Sequence, residues 1–441
     1  MIQEQQITER EILKKSRDYN LYTWVPQKYA DNYIAVKSGK GCYYWDYSGK
    51  KYLDAASQLV NVNIGLQHPK VVEAIKAQAD QLCYINPIHA TKTRALLSER
   101  LLTEAAPGMG KVLYTLTGSD CNEHAIRIAQ DYTGKYKMLT QYISYHGFPY
   151  GGASLTGQCA PRGVIGPEIA GFVHFMGPWW RDHGLQFESE EDYSAFLLRM
   201  LERQIIQEGP DKIAAVMTES MLGCSGAVPM PKGYLRGLRA LCDKYNILLI
   251  CDETVTGFGR TGKWFTYQYY DILPDLITFS KGITSGYEPM GGVIVSREIA
   301  EFYEEHPLPL DTTYNAHPLC TAAALATLDV YKEENLFENA VTMGERLLDG
   351  LKKLCETHSC IENPRGLGLM TAVDLAKPLV EHGAFTRLSK MFMDKGVVPY
   401  TLPRHILVTP PLIITADEID QILTAMDEVL TKAENIRWGG E

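Results

Sequence analysis

The sequence predicts an α/β protein built on a mostly parallel sheet. Short β-branched or apolar runs alternate with amphipathic stretches, as strands and crossover helices do. Its 441 residues, 45% hydrophobic and 22% charged, are enough for two or three packed units, each with a real core. Five runs supply the strands: Lys111 to Leu116, Lys137 to Ile143, Ile213 to Thr218, Ile247 to Cys251 and Leu276 to Phe279. Between the third and fourth, Lys232 to Tyr245 reads as a helix, with Tyr234, Leu235, Leu238 and Leu241 at helical spacing. These three elements form one βαβ unit.

Upstream of this block, Gly41 to Asp54 reads as a hairpin about a Ser-Gly turn, because polar residues separate a pair of aromatic-rich runs. After about Thr327 a long helix leads into an α+β tail with short strands near Leu369 to Asp374 and His405 to Val408. No internal repeat, low-complexity tract or long linker interrupts the chain. Forty-three basic against 53 acidic residues leave a net charge of −10, which opposes binding to nucleic acid or an anionic membrane. The polar stretch from Met1 to Arg17 has no apolar signal core, and no run approaches the roughly 20 apolar residues that span a bilayer. A cytoplasmic location is expected. The ten cysteines are irregularly spaced and read as reduced thiols. Cys355, His358 and Cys360 lack a zinc spacing and a fourth ligand, so no metal is expected.

The chemistry gathers where strands end. Ile247 to Glu253 places Asp252 at the carboxyl edge of the sheet, where open α/β sheets bind ligands. The run Leu276 to Phe279 ends in Ser280-Lys281-Gly282, 281 − 252 = 29 residues later, and delivers an amine to the same edge. A lysine that forms a Schiff base and an aspartate that keeps a ring nitrogen protonated are the pair that pyridoxal phosphate needs. Either residue alone would read as a surface lysine or a turn cap. Thr117-Gly118-Ser119-Asp120 passes from strand to helix, and its free N–H groups and hydroxyl suit a phosphate; Ser119 by itself reads more simply as an N-cap. Tyr145 and His146 close another strand, where an aromatic face can cover a flat ring. Gly257 to Trp264 satisfies G-x-G-x-x-G. However, Trp264 stands where a P-loop needs Ser or Thr, and five residues lie between the strand and the first glycine, so nucleotide binding is not expected.

Asp252-Glu-Thr-Val-Thr-Gly-Phe-Gly-Arg-Thr-Gly262 and Pro274 to Gly282 resemble the class III, or omega, aminotransferases of pyridoxal-phosphate fold type I. Thr117 to Glu123, Tyr145 to Gly147, Thr312 to Leu319 and Thr409 to Leu412 extend the resemblance over nearly the whole chain. It implies a large cofactor domain over 71–327, flanked by helices, and a small α+β domain made from both chain ends, 1–70 and 328–441. It makes Lys281 the Schiff-base lysine and proton carrier and Asp252 the partner of the ring nitrogen. Tyr145, with His146 beside it, would stack on the ring, and Gly118, Ser119 and Asp120 would hold the phosphate. Thr254 and Val255, in place of the common Val-Gln, would lie by the ring. Thr313 would reach the phosphate of a neighbouring subunit, which implies at least a homodimer.

On the substrate side the resemblance offers Glu219, which can pair with an arginine, and Arg404, six positions before Pro410, as a carboxylate clamp. Gln58 to Gly65, His68-Pro69, Trp24, Ala160 to Arg162 and His174 to Pro178 look like the branch containing taurine aminotransferases, with Trp24 and Arg162 facing a sulfonate. The implied reaction moves the amino group of a small omega-amino acid or amine, taurine or then β-alanine, to 2-oxoglutarate or pyruvate in ping-pong fashion. Rival readings are an amine lyase, decarboxylase, racemase or aminomutase on the same cofactor, a cofactor-binding sensor, or a nucleotide-dependent enzyme using Gly257 to Trp264.

Overall fold

The five predicted strands lie in one seven-stranded sheet in a computed structural model that describes residues 7–28, 33–179, 186–436 and 438. In chain order its strands are β1 (Lys111–Thr115), β2 (Lys137–Gln141), β3 (Phe172–Phe175), β4 (Ile213–Glu219), β5 (Leu248–Asp252), β6 (Leu276–Phe279) and β7 (Gly291–Val295). Their spatial order is β1-β7-β6-β5-β4-β2-β3. The pairs β6-β5, β5-β4, β4-β2 and β2-β3 are parallel, and β7 runs antiparallel to both β6 and β1. Every residue of β4, β6 and β7 is buried, as befits strands covered on both faces. The two strands missed from sequence carry weak signals: β3 is four residues long, and β7 opens on two glycines.

Thr117 and Asp120 form a capping box at the start of the helix Gly118–Thr133 (α1), so α1 begins four residues before the predicted Asn122. Gly134, left-handed at φ 67, ends it. Strands Val36–Lys40, Tyr43–Asp46 and Lys51–Asp54 form an antiparallel sheet, and Val397–Val398 pairs in parallel with the last of them. The two ends of the chain therefore share backbone hydrogen bonds. A second small sheet contains Ile361–Leu367, Met370–Leu375, His405–Val408 and Tyr400–Thr401. Among the described residues no helix is long and apolar enough to cross a membrane.

The Gly257 to Trp264 stretch is a loop tied to other segments of the protein through Arg260. Arg260 is fully buried and donates to Leu369 O at 3.1 Å, Pro410 O at 2.6 Å, Ser57 Oγ at 3.0 Å and Asn63 Oδ1 at 2.6 Å. One guanidinium thus joins the central sheet's loop to both the N-terminal and C-terminal segments. Burial lowers its pKa to about 10, partly opposed by Tyr331 and Asp54, so it stays charged at neutral pH.

His358 forms a second clasp, to the C-terminal helix Ala416–Glu434. Its Nε2 meets Asp427 Oδ1 at 2.8 Å and its Nδ1 meets Glu434 Oε2 at 3.2 Å. Burial pushes the imidazole pKa down, but the two carboxylates outweigh it and the net shift is upward. A raised folded-state pKa stabilises fully below the ordinary imidazole value and less as pH rises through the raised one. The loss of thermal stability in His358→Gln is therefore expected to be larger at about pH 6 than at about pH 9. Equal losses at both would show that the imidazolium is not the stabilising form.

Candidate active site

Strand register sets the site. Glu219 of β4 lies opposite Asp252 of β5, and Asp252 lies opposite Thr278 of β6, so three polar residues stand in register at or next to the ends of three adjacent strands. Lys281 follows two residues after β6 ends, half-buried, in a left-handed conformation at φ 48 that non-glycine residues seldom hold. Its charge reaches the thiol of Cys224, which also feels Glu219 and Asp252. Lys281 and Asp252 thus stand at the carboxyl ends of neighbouring parallel strands.

Asp252 is 3% exposed. Its Oδ2 accepts from Asn122 Nδ2 at 2.7 Å and from His146 Nδ1 at 2.9 Å, and its Oδ1 accepts the Thr254 N–H at 3.0 Å. Burial raises its pKa, but the hydrogen bond and charge of His146, with hydrogen bonding from Thr254, outweigh it and hold the carboxyl below the usual range. Glu219, equally buried, accepts the N–H of Tyr145 at 2.9 Å and of Gly223 at 2.8 Å. Burial pushes it up to about 7, with His146 opposing and Asp252 adding to the shift. Its carboxylate is held by backbone rather than by an arginine, and through it the Tyr145 loop is fixed to the end of β4.

At the phosphate turn the N-cap is Thr117 and not Ser119. Thr117 Oγ1 accepts the Asp120 N–H at 3.2 Å, while Asp120 Oδ2 takes the Thr117 N–H at 3.1 Å and its hydroxyl at 2.9 Å. Asp120 therefore serves the cap, and its carboxylate is turned to Thr117. Gly118 and Ser119 keep their first-turn N–H groups, which have no partner inside a helix, together with the Ser119 hydroxyl. A Cβ on Gly118 would strike the Thr254 methyl group, and one on Gly147, at φ 121, would come within 2.6 Å of Ser119 Oγ. The turn, the Tyr145 loop and Thr254 thus close on one another.

Other predicted residues stand further out. Trp24 is 65% exposed and packs edge-on against Phe148, ring centroids 5.3 Å apart, beside the Tyr145 loop. Val255 is half-buried and lies against Gly223. Arg162 faces Glu168 at 3.2 Å and lies 5.4 Å over the Tyr142 ring. Arg404 is exposed, next to the strand His405–Val408. Thr313 is exposed, and its carbonyl accepts the Tyr84 hydroxyl at 2.9 Å. Three residues at the crevice were not singled out from sequence. Asn122 and Thr278 stand behind Asp252, and half-buried Tyr400 is pushed up to about 12 by burial, then by Cys224 and Tyr145. A signal existed for Asn122 alone: asparagine is a poor residue for a helix interior, so a mid-helix one invites a polar reason.

These groups suit pyridoxal phosphate. The α1 N-terminus offers N–H donors to a dianion, and an anionic Asp252 suits a protonated ring nitrogen. Among the described residues the buried His146 Nε2 has no hydrogen-bond partner, a further polar atom open beside Asp252.

The family model for class-III aminotransferases matches residues 25–430. A diaminobutyrate–2-oxoglutarate transaminase of Halomonas elongata is 34% identical, covering 90% of each chain. A taurine–pyruvate aminotransferase of Bilophila wadsworthia is 32% identical over 96% of this chain and 98% of its own. The solved structure of taurine:2-oxoglutarate aminotransferase from Bifidobacterium kashiwanohense, in complex with PLP and glutamate, superposes with a TM-score of 0.92. It is 35% identical, covering 97% of this chain and 99% of that one.

Proposed function

The chain belongs to the class III aminotransferases, enzymes that depend on pyridoxal phosphate, and from that membership we propose that its donor is a short omega-amino acid, taurine first and β-alanine next. The acceptor is 2-oxoglutarate or pyruvate, and the two halves of the reaction alternate on one site. The observation that supports the reading is that Asp252 and Lys281 follow neighbouring parallel strands, with the α1 N-terminus at Gly118 packed against Thr254. The likeness to two taurine aminotransferases favours the donor.

When bound, the cofactor supplies an electron sink for the pair left as the substrate's carbon–hydrogen bond breaks. Lys281 would take that proton from the substrate carbon and return it to the carbon on the far side of the nitrogen, which requires its amine on the reacting face of the site. Asp252, kept anionic by His146 and Thr254, holds the ring nitrogen's proton. Gly118 and Ser119 hold the phosphate, and Tyr145, anchored through Glu219, covers the ring. Trp24 and Phe148 form an apolar lip on the substrate side. Among the described residues Glu219 is held by backbone N–H groups and Arg162 faces Glu168; the clamp for the substrate's acid end in this reading is Arg404, six positions before Pro410.

The active unit is at least a homodimer, with Thr313 reaching the partner's phosphate. Tyr314 (53% exposed) and Tyr84, in ring contact beside Thr313, form an apolar surface of the kind that a partner covers.

One experiment tests donor and assembly together. The purified protein is sized by light scattering, and its visible absorbance is then followed on adding taurine, β-alanine, GABA or alanine without any keto acid. A mass of two or more chains is expected, with yellow colour lost to an omega-amino donor and restored by a keto acid. A response to alanine alone would overturn the omega-amino reading, and a monomer that turns over would overturn the shared site.

A further inference from the structure

Asn122 is 2% exposed, one turn into α1, and its amide touches three of the segments that build the crevice. Nδ2 donates to Asp252 Oδ2 at 2.7 Å and to the backbone carbonyl of His146 at 2.8 Å, while Oδ1 accepts from Thr278 Oγ1 at 2.8 Å. A carboxylate and a carbonyl only accept, so the NH2 end must face them, and the Thr278 hydroxyl meets the other end. The amide therefore has one orientation.

That orientation decides what Asp252 has left to offer. Oδ2 receives two donors, Asn122 and His146, which fill its lone pairs; among the described residues the one hydrogen bond to Oδ1 comes from the Thr254 N–H. One acceptor position remains, and it is on Oδ1. The titratable groups that face Asp252 are His146, in direct contact, and Glu219, Cys224 and Cys121 at longer range. None of these last three donates to it, so Asn122 and His146 alone fix Oδ2.

We propose that Asn122 is a positioning residue for amino transfer: it locks the Asp252 carboxylate so that Oδ1 keeps its open lone pair for the protonated ring nitrogen of pyridoxal phosphate. The proposal rests on the cofactor reading above. The same amide ties this lock to the Tyr145 loop, through the His146 carbonyl, and to β6, through Thr278, three residues before Lys281. A shift in any one of these segments is felt at the carboxylate.

A purely structural asparagine would affect folding and leave the chromophore alone, so the readouts are cofactor affinity and the pH midpoint of the holoprotein's visible absorbance. A ring nitrogen held less firmly protonated withdraws less charge from the lysine nitrogen conjugated to it. Asn122→Ala is therefore expected to weaken pyridoxal-phosphate binding about tenfold or more and to raise the absorbance midpoint by about one pH unit. Thr278→Val, nearly isosteric, removes only the hydroxyl that orients the amide and is expected to move both in the same direction by less. It carries the test if Asn122→Ala does not fold. An unchanged dissociation constant and midpoint in the variant that folds overturns the role of Asn122 while leaving a yellow, donor-responsive wild type intact. A wild-type protein that takes up no pyridoxal phosphate overturns the underlying reading, and this proposal with it.

Discussion

Lys281→Ala is expected to leave a folded protein that no longer transfers amino groups. A positioned proton carrier contributes up to roughly 10⁴-fold to a rate, and here the same amine also anchors the cofactor, so the loss should reach at least that order. Stability is expected to change little, because Lys281 is half-buried and is held as the first residue of a short 3-10 turn whose backbone does not need the side chain. Lys281→Arg keeps a positive charge near Cys224 but cannot form the same bond to the cofactor, and so is not expected to restore turnover. The measurement is the loss of visible absorbance in a single turnover with an omega-amino donor, alongside the unfolding midpoint of each variant. Turnover within tenfold of wild type in Lys281→Ala would remove the residue from the chemistry. A matching fall in unfolding midpoint would mean that the loss reports folding instead.

The second large effect is on stability. Arg260→Ala removes the donor of four buried hydrogen bonds and strips Ser57, Asn63, Leu369 and Pro410 of a shared partner. It also takes the positive charge away from Asp54, whose carboxyl is 1% exposed and is raised in pKa by burial despite hydrogen bonds from Ala56 and Gln58. Breaking a buried charged network on one side costs about 3 to 5 kcal/mol. That is a large share of the roughly 5 to 15 kcal/mol that typically holds a domain together. Because the bonds cross from the central sheet's loop to both chain ends, the small sheets are expected to loosen first. Hydrogen exchange of Thr371 to Asp374 and Ile406 to Val408 should accelerate more than that of β5. Arg260→Lys should recover only a fraction of the loss, since a single ammonium cannot reach acceptors arranged for a planar fork. A variant Arg260→Ala within about 1 kcal/mol of wild type would show that water replaces the guanidinium at little cost.

Much of the site was legible because the fold delivers its chemistry at strand ends, and strand ends can be read from a linear pattern. The apolar run before Asp252 and the one before Lys281 each stop where the polar residue begins, and parallel pairing then puts both at one edge. The Thr117 to Asp120 turn was legible for the same reason, although the residue doing the capping was not. Choosing between Thr117 and Ser119 requires knowing where the first helical turn starts, which shifts by a residue or two without changing the sequence pattern. The Gly257 to Trp264 motif does not read as a nucleotide loop, but its use as a buried clasp could not be foreseen. Its four acceptors come from Ser57, Asn63, Leu369 and Pro410, which only the folded chain brings together.

By itself, then, the sequence determined the α/β class, the strand-end placement of Lys281 and Asp252, and the strand-to-helix turn that starts α1. Each depends on residues close together in the chain and on periodicities of two or 3.6 residues. The tertiary structure decided which polar groups meet: that Asn122 and His146 share one oxygen of Asp252, that Glu219 holds the backbone of Tyr145 instead of an arginine, and that Arg162 faces Glu168. A hydrogen bond is made or lost over less than an ångström, between residues up to 130 positions apart in this network, and no local pattern encodes that distance.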